Sequence, residues 1–286
     1  MATNESENQV WTEEIKSENS LLSINYKEVW SYRDLLYMLV KRDFITFYKQ
    51  TILGPLWFII QPILTMLIYV LLFGQVAKLS TDGMPQIPFY LCGITIWNYF
   101  SECLTKTSTV FKDNASVFGK VYFPRLIMPL SIIFSGLMKF GIQFGLFILI
   151  ILYYTFVEYQ IRPNLWIFLT PLLVLLMATF ALGLGMIFSS LTTKYKDLVF
   201  LLTFGIQLFM YATPVVYPAS AMPEKFKFLN DYNPLSGIFE CFRYAYLGTG
   251  NFNPSNLIFS TLSIFTLLIF GVIIFNKVEK SFMDTV

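Results

Sequence analysis

Six stretches of this chain are apolar enough, for long enough, to cross a bilayer as helices. They are Leu56–Ala77, Ile87–Leu104, Leu126–Val157, Leu165–Leu191, Leu198–Val216 and Leu257–Phe275. A span needs about 20 mostly apolar residues to cover ~30 Å of hydrocarbon at about 1.5 Å per residue. The third stretch is longer than that, which predicts tilt or a start in the interface. Alternation over ten-residue runs, the mark of a transmembrane barrel, is not found. Composition agrees with the helical reading. Apolar residues make up 56% of the chain and charged residues 13%, against roughly 45–50% and about 25% in soluble domains. The expected fold class is an all-α membrane protein with six transmembrane helices.

Basic residues give the spans a direction. With the N-terminus inside, Lys16, Lys27, Arg33, Lys41, Arg42, Lys49, Lys106, Lys112, Lys120, Arg125, Lys194, Lys196, Lys277 and Lys280 are cytoplasmic. Lys78, Arg162, Lys225, Lys227 and Arg243 lie outside. That excess of fourteen over five predicts both termini cytoplasmic. Residues 1–25 read as a cytosolic acidic tail. Met1–Ser20 carries Glu5, Glu7, Glu13, Glu14 and Glu18 and lacks the basic-then-apolar order of a signal peptide. Residues 26–55 read as an amphipathic interface helix and the approach to the first span, and residues 56–286 as the six-span domain.

Two segments depart from the span pattern. Tyr26–Tyr48 mixes Val29, Trp30, Leu36 and Leu39 with Arg33, Lys41 and Arg42. It cannot cross with those charges and is expected to lie on the inner surface. Ser31-Tyr32-Arg33-Asp34 matches the Ser/Thr-x-x-Asp/Glu capping pattern near its start. Pro234–Gly248 is apolar but short, and Glu240 and Arg243 interrupt it. Runs of that length are more often re-entrant or interfacial than spanning. Glu240 and Arg243, three apart, share a helix face. They read either as a buried pair holding an outer gate or as an exposed surface pair.

The chemistry the chain lacks narrows its role. It has no histidine and three cysteines, which excludes a disulfide framework, a Cys/His zinc site and any histidine-based triad. Cys92, Cys103 and Cys241 read as packing residues. A net charge of +2 gives no footprint for nucleic acid. The phosphate-cradling G-x-x-x-x-G-K-S/T loop is absent; Gly119-Lys120 is followed by Val121 and lacks the earlier glycine. The chain therefore does not hydrolyse ATP alone. No D-x-D pair offers metal or acid–base chemistry, so no catalytic or metal-ligating residue is assigned and no cofactor is expected on this chain. Lys139 is the one ionisable group near a span centre, set to meet an anionic group of the substrate or another polar helix, since snorkelling is difficult from mid-span.

Several stretches, in order, resemble one family. Tyr32-Arg33-Asp34-Leu35-Leu36, Lys41-Arg42-Asp43 and Tyr48-Lys49-Gln50-Thr51-Ile52-Leu53-Gly54-Pro55-Leu56-Trp57, with Gln61-Pro62, are similar to the opening of the ABC-2-type polysaccharide-export permeases. Lys120-Val121-Tyr122-Phe123-Pro124-Arg125 with Pro129 looks like that family's segment before the third span. Thr213-Pro214-Val215 with Tyr217-Pro218, then Asn233-Pro234-Leu235, are similar to its fifth-span exit and outer re-entrant helices. The acidic extension before Tyr26 and the Lys139 position fall outside the shared pattern. The resemblance implies an exporter of O-antigen, capsule or teichoic-acid chains on a lipid carrier. It implies a bacterial inner-membrane location and a homodimer served by two cytosolic ABC ATPase subunits, which bind the ATP and Mg. A small-molecule or lipid permease of the same type stays open, as does a membrane glycan-synthesis enzyme, for which no polar catalytic cluster is visible.

The resemblance also suggests roles. The loop Lys106–Arg125, with Phe111, Lys112, Asp113, Asn114 and Phe118, would be an ATPase-coupling element, or else a basic loop at the membrane edge. Thr192–Asp197 would be an ordinary turn or a lesser contact. Trp57, Tyr69, Phe89, Tyr90, Trp97, Tyr99, Phe100, Phe204, Phe209 and Tyr211 supply rings on which sugars could slide, or which simply pack. Tyr90, Trp97, Tyr99 and Tyr211 are the glycan-channel candidates, because their polar tips seek partners. Arg33, Lys41 and Arg42 would meet the pyrophosphate of a lipid-linked substrate, or phospholipid head groups.

Overall fold

The computed structural model describes residues 26–49, 51–118, 120–248, 250 and 252–282; the acidic tail lies outside them. All regular structure among the described residues is helical. The α-helices are α1 (Tyr26–Ser31), α2 (Arg33–Tyr48), α3 (Trp57–Tyr69), α4 (Gln86–Thr107), α5 (Val110–Asp113), α6 (Ala115–Phe118), α7 (Ile127–Phe156), α8 (Thr170–Lys194), α9 (Leu198–Ala212), α10 (Lys227–Asp231), α11 (Ser236–Leu247) and α12 (Pro254–Phe282). Four stretches are both long and apolar enough to cross a membrane: Gly54–Val76, Ile127–Phe156, Leu165–Lys194 and Pro254–Val278. α4 is long enough but carries Asn98, Glu102 and Lys106, and α9 is apolar but only 15 residues long.

α4 is the axis of the bundle. Fifteen of its residues are buried, including Phe89, Tyr90, Trp97 and Phe100. It packs on α3, α7, α8, α9 and α11. A helix enclosed on all sides is apolar all round rather than along one stripe, which is how Ile87–Leu104 reads. α8 and α12 form the most extensive helix pair. Glycine lets them touch: a Cβ on Gly271 would lie 2.5 Å from the Gly183 carbonyl oxygen, and one on Gly183 would lie 2.9 Å from Leu268 Cα. Small residues at a crossing bring backbones together, which is how helices in lipid gain packing contact. At the end of the bundle where α4 stops, a second cluster joins Leu39, Phe111, Phe118, Phe123, Met186 and Phe275.

The structure corrects several sequence boundaries. Tyr26–Tyr48 is two helices broken at Tyr32. Ser31 is the last residue of α1, and its Oγ donates to the Glu28 carbonyl at 2.7 Å, so it is not the cap of α2. Here a hydroxyl bonded back into its own turn displaces the capping geometry. The fifth apolar run stops at Ala212 rather than Val216, because Thr213 precedes Pro214 and is extended (φ −105°, ψ 144°). The first run has a 3-10 turn at Gly54–Leu56, encloses Pro62, and ends in a π-helical turn, Val70–Val76. α11 falls within the expected Pro234–Gly248 segment. Gly248 ends it in the left-handed region (φ 76°), where a Cβ would also strike the Arg162 carbonyl.

The α8–α12 crossing yields a prediction. Gly271→Val must push two backbones apart and is expected to lower stability by at least about 1–3 kcal/mol. Gly141, with open space around its Cβ direction, should accept Ala without loss. Thermal unfolding of both variants in one detergent checks the contrast.

Candidate functional site

The loop after α4 is held by its aromatics. Phe111 is fully buried and stacks on Phe275 at 4.6 Å; Phe118 is buried against Phe111 and Phe123. Both rings therefore face this chain's own interior and are not outward docking rings. Their lost hydration is recovered by packing, which sequence could not distinguish from packing on a partner. Lys112 and Asp113 are exposed between them, and Asn114 donates from Nδ2 to the Val110 carbonyl. The loop is tied to α8: the Phe111 amide donates to Ser189 Oγ at 3.4 Å, and Thr192 Oγ1 to the Ser108 carbonyl at 2.7 Å. Thr192, expected to open the second loop, lies instead in the last turn of α8 and anchors the first loop.

On α2, Arg33, Lys41 and Arg42 are exposed. Arg42 forks onto Asp43 at 2.9–3.0 Å, and Arg33 lies over Trp30 at 5.9 Å. Arg33 and Arg42, nine residues apart, point to opposite sides of the helix, so the three cations do not converge on one site. Of the channel candidates, Tyr90, Trp97 and Tyr99 are buried in the chain's core, and only Tyr211 is exposed. Phe204 and Trp57 are exposed as well.

The structure supplies the partner that sequence left unnamed for Lys139. Its ammonium donates to Glu102 Oε1, and Lys106 reaches the same oxygen at 2.7 Å. One turn further along, Asn98 Nδ2 donates to Gln143 Oε1 at 3.5 Å. A polar seam therefore runs between α4 and α7, built on i, i+4 spacing in both helices. The signal was present as Asn98, Glu102 and Lys106 four apart, but the opposing residues lie about forty positions away.

At the opposite end of the bundle, Glu240 and Arg243 are both buried, yet no ion pair joins them among the described residues. Arg243 donates to the carbonyls of Pro214 (2.8 Å), Val215 (3.3 Å) and Tyr217 (3.5 Å), and its guanidinium covers the Phe89 ring at 4.1 Å. The expected gate pair is thus a strap from α11 to the loop after α9. Glu240 lines a small polar cavity with Arg243, Asp82 and Ser220, and Ser220 Oγ donates to both Asp82 carboxylate oxygens at 2.7 Å. Burial pushes the Glu240 carboxyl up to about 7; Arg243 opposes that rise, and Asp231 and Asp82 add to it. Among the described residues, no His, Cys, Asp or Glu group is placed to hold a metal.

Two predictions follow from these charges. Removing Glu102 takes from buried Lys139 the carboxylate it shares with Lys106, so Glu102→Ala is expected to cost about 3–5 kcal/mol, with Glu102→Ala plus Lys139→Met recovering most of it. Chemical unfolding of the single and double variants measures the recovery. Glu240 has the opposite character. Near pH 4 it is protonated whether folded or unfolded. From about 4.5 to 7 only the unfolded chain ionises, so stability falls as pH rises, and above 7 the loss is complete, at about 3 kcal/mol. Glu240→Gln should therefore raise the thermal midpoint at pH 8 and leave it unchanged at pH 4.

Comparison with known proteins places this geometry. The ABC-2 type transporter family matches residues 34–247. An O-antigen export system permease protein, RfbA, of Klebsiella pneumoniae is 32% identical over 253 residues, covering 88% of this chain and 94% of its own length. RfbA of Myxococcus xanthus is 30% identical over 70% of this chain and 74% of its own length. The inner membrane transport permease YadH of Escherichia coli K12 is 23% identical over 78% and 87%. The match runs from the start of α2 through the end of α11, taking in the polar seam and the Arg243 strap, and the chain belongs to the ABC-2 type transporter family.

Proposed function

We propose that this chain is the permease subunit of an ATP-driven exporter of lipid-linked polysaccharide, with O-antigen glycan as the foremost substrate. The observation that carries this reading is the 32% identity to an O-antigen export permease over 88% of the chain. The working unit is a homodimer in the bacterial inner membrane, with two cytosolic ABC ATPase subunits that supply ATP and Mg. α3, α4, α7, α8, α9 and α12 are its six spans, both termini are cytoplasmic, and α11 is re-entrant at the outer side.

The distribution of exposed side chains supports a path between two copies. α3 exposes Trp57, Gln61, Leu64 and Ile68, and Leu71 continues that face in the π-helical turn, while α9 exposes Phe200, Phe204, Gln207, Leu208 and Tyr211. The two helices meet at Tyr69 and Met210. Amides facing lipid would lose hydrogen bonds without replacement; facing a polar path or a second copy, Gln61 and Gln207 keep them. Rings and amides interleaved on one face suit a glycan, whose C–H faces stack and whose hydroxyls bond. Tyr90, Trp97 and Tyr99 then support that face from behind. Lys112 and Asp113 are the groups of the first loop available to the ATPase. Lys41 and Arg42 lie at the inner surface where a lipid-linked pyrophosphate would arrive.

Reconstitution with the ATPase subunit tests this reading, by measuring ATP turnover with and without glycan-lipid. Stimulation by lipid-linked O-antigen and not by drugs or free phospholipid is expected; stimulation by small molecules alone would favour a small-molecule permease. Lys112→Ala with Asp113→Ala should reduce the stimulation severalfold while shifting stability by less than about 0.5 kcal/mol. Phe111→Ala should instead cost about 3–5 kcal/mol, because it empties a packed site.

A further inference from the structure

α7 and α8 both pack closely on α4 but only lightly on each other. Between them runs a groove of about 700 Å³, walled by Ile133, Leu137, Phe140 and Phe144 on one side and Val174 and Ala178 on the other. Phe134, Phe168 and Leu175 are exposed at its rim, so it opens sideways from the bundle. We propose that this groove binds one acyl chain of a membrane phospholipid, drawn from the leaflet at the α8 N-terminal end.

Three observations carry the assignment. The first is polarity. The hydroxyls in the lining are already engaged: Thr170 with Tyr246 at 2.8 Å and with the Ile167 carbonyl, and Thr179 with the Leu175 carbonyl. A sugar or other polar ligand would find no partner there. The second is width. From Leu130 to Phe144 the groove follows about 21 Å of helix, which gives a mean cross-section of roughly 35 Å². A helix about 10–12 Å across is too wide to seat within it. A hydrocarbon chain, spaced by contacts of about 4 Å, needs roughly 20 Å². The length exceeds the ~15 Å depth of one leaflet, enough for a whole acyl chain. The third is charge. Exposed Arg162 precedes the Leu165–Leu169 turn, whose Ile167 and Phe168 line the groove, so a basic group for a phosphate lies a few residues along the chain from it.

The experiment uses the full chain in phosphatidylethanolamine and phosphatidylglycerol vesicles with a trace of phosphatidylethanolamine carrying a photoreactive diazirine on its acyl chain. Irradiation followed by peptide mapping should give at least threefold more adducts on Phe134, Phe168 and Leu175 than on Ile258, Leu262 and Ile269 of α12, which are comparably exposed. Val174→Trp, or Thr179→Phe where the first fails to fold, should bring the groove down to the α12 level. Equal labelling of both faces in the unaltered chain would overturn the proposal. So would loss of the excess on adding equimolar polyprenyl phosphate, since the groove would then belong to a polyprenyl chain. Retention of the excess in that competition supports the phospholipid.

Discussion

Inside hydrocarbon a polar group has no water to turn to, so it must be satisfied by the protein itself. α4 meets this demand at its most acute, because it carries half-buried Asn98 and Glu102 and a row of hydroxyls along its length. Its neighbours are arranged around that need. α7 places Lys139 and Gln143 opposite Glu102 and Asn98, and Gly136 admits Cys103 and Tyr99 to close contact. The hydroxyls of Thr95 and Thr105 bond back to carbonyls four residues earlier. With these groups paired, the remaining faces of α4 are apolar and can be wrapped by α3, α8, α9 and α11. A helix whose hydropathy alone would not qualify it as a span is thereby the most enclosed of the long helices.

Two of the buried cations, Lys139 and Arg243, are held in different ways. Lys139 shares the Glu102 carboxylate with Lys106 and lies over the Phe58 ring at 5.5 Å, so part of its hold is an ionised group. Arg243 depends on backbone carbonyls and a ring face, neither of which titrates. A planar guanidinium suits that role, since its fan of donors can serve several carbonyls and its face can stack. The polar seam is thus sensitive to ionisation, whereas the strap is not, even though Glu240 beside it is.

Much of this was legible in the sequence because helix length and punctuation are local. The apolar runs gave the long helices, and Gly248 marked the end of α11 through its left-handed conformation. Pro214 was also a stop signal, yet the apolar residues around it suggested a span running to Val216. What escaped was non-local. Rings such as Phe111 and Phe118 look alike in sequence whether they pack inward or on a partner. The acceptors of Arg243 are carbonyls, which leave no residue-type signature. Glu102 and Lys139 are separated by 37 positions, and nothing in either segment names the other. The break at Tyr32 has no glycine or proline to announce it.

The shortness of α9 and the burial of Arg243 have a common cause. Fifteen residues rise only about 22 Å, some 8 Å less than the hydrocarbon thickness, and on the proposed six-span arrangement the chain completes that depth in irregular form after Thr213. Such backbone is tolerated at membrane depth only where protein covers it. The last four carbonyls of α9 each find a donor: Phe209 from Thr213 Oγ1, Met210 from the Thr213 amide, Tyr211 from the Tyr217 hydroxyl, and Ala212 from Asn233 Nδ2. The next carbonyls, of Pro214, Val215 and Tyr217, have no helix to serve them, and Arg243 does so from α11. Gly93 on α4 leaves room for this segment to press close, since a Cβ there would lie 2.4 Å from the Val215 oxygen. A proline that ends one helix early therefore accounts for a buried arginine on another and a glycine on a third.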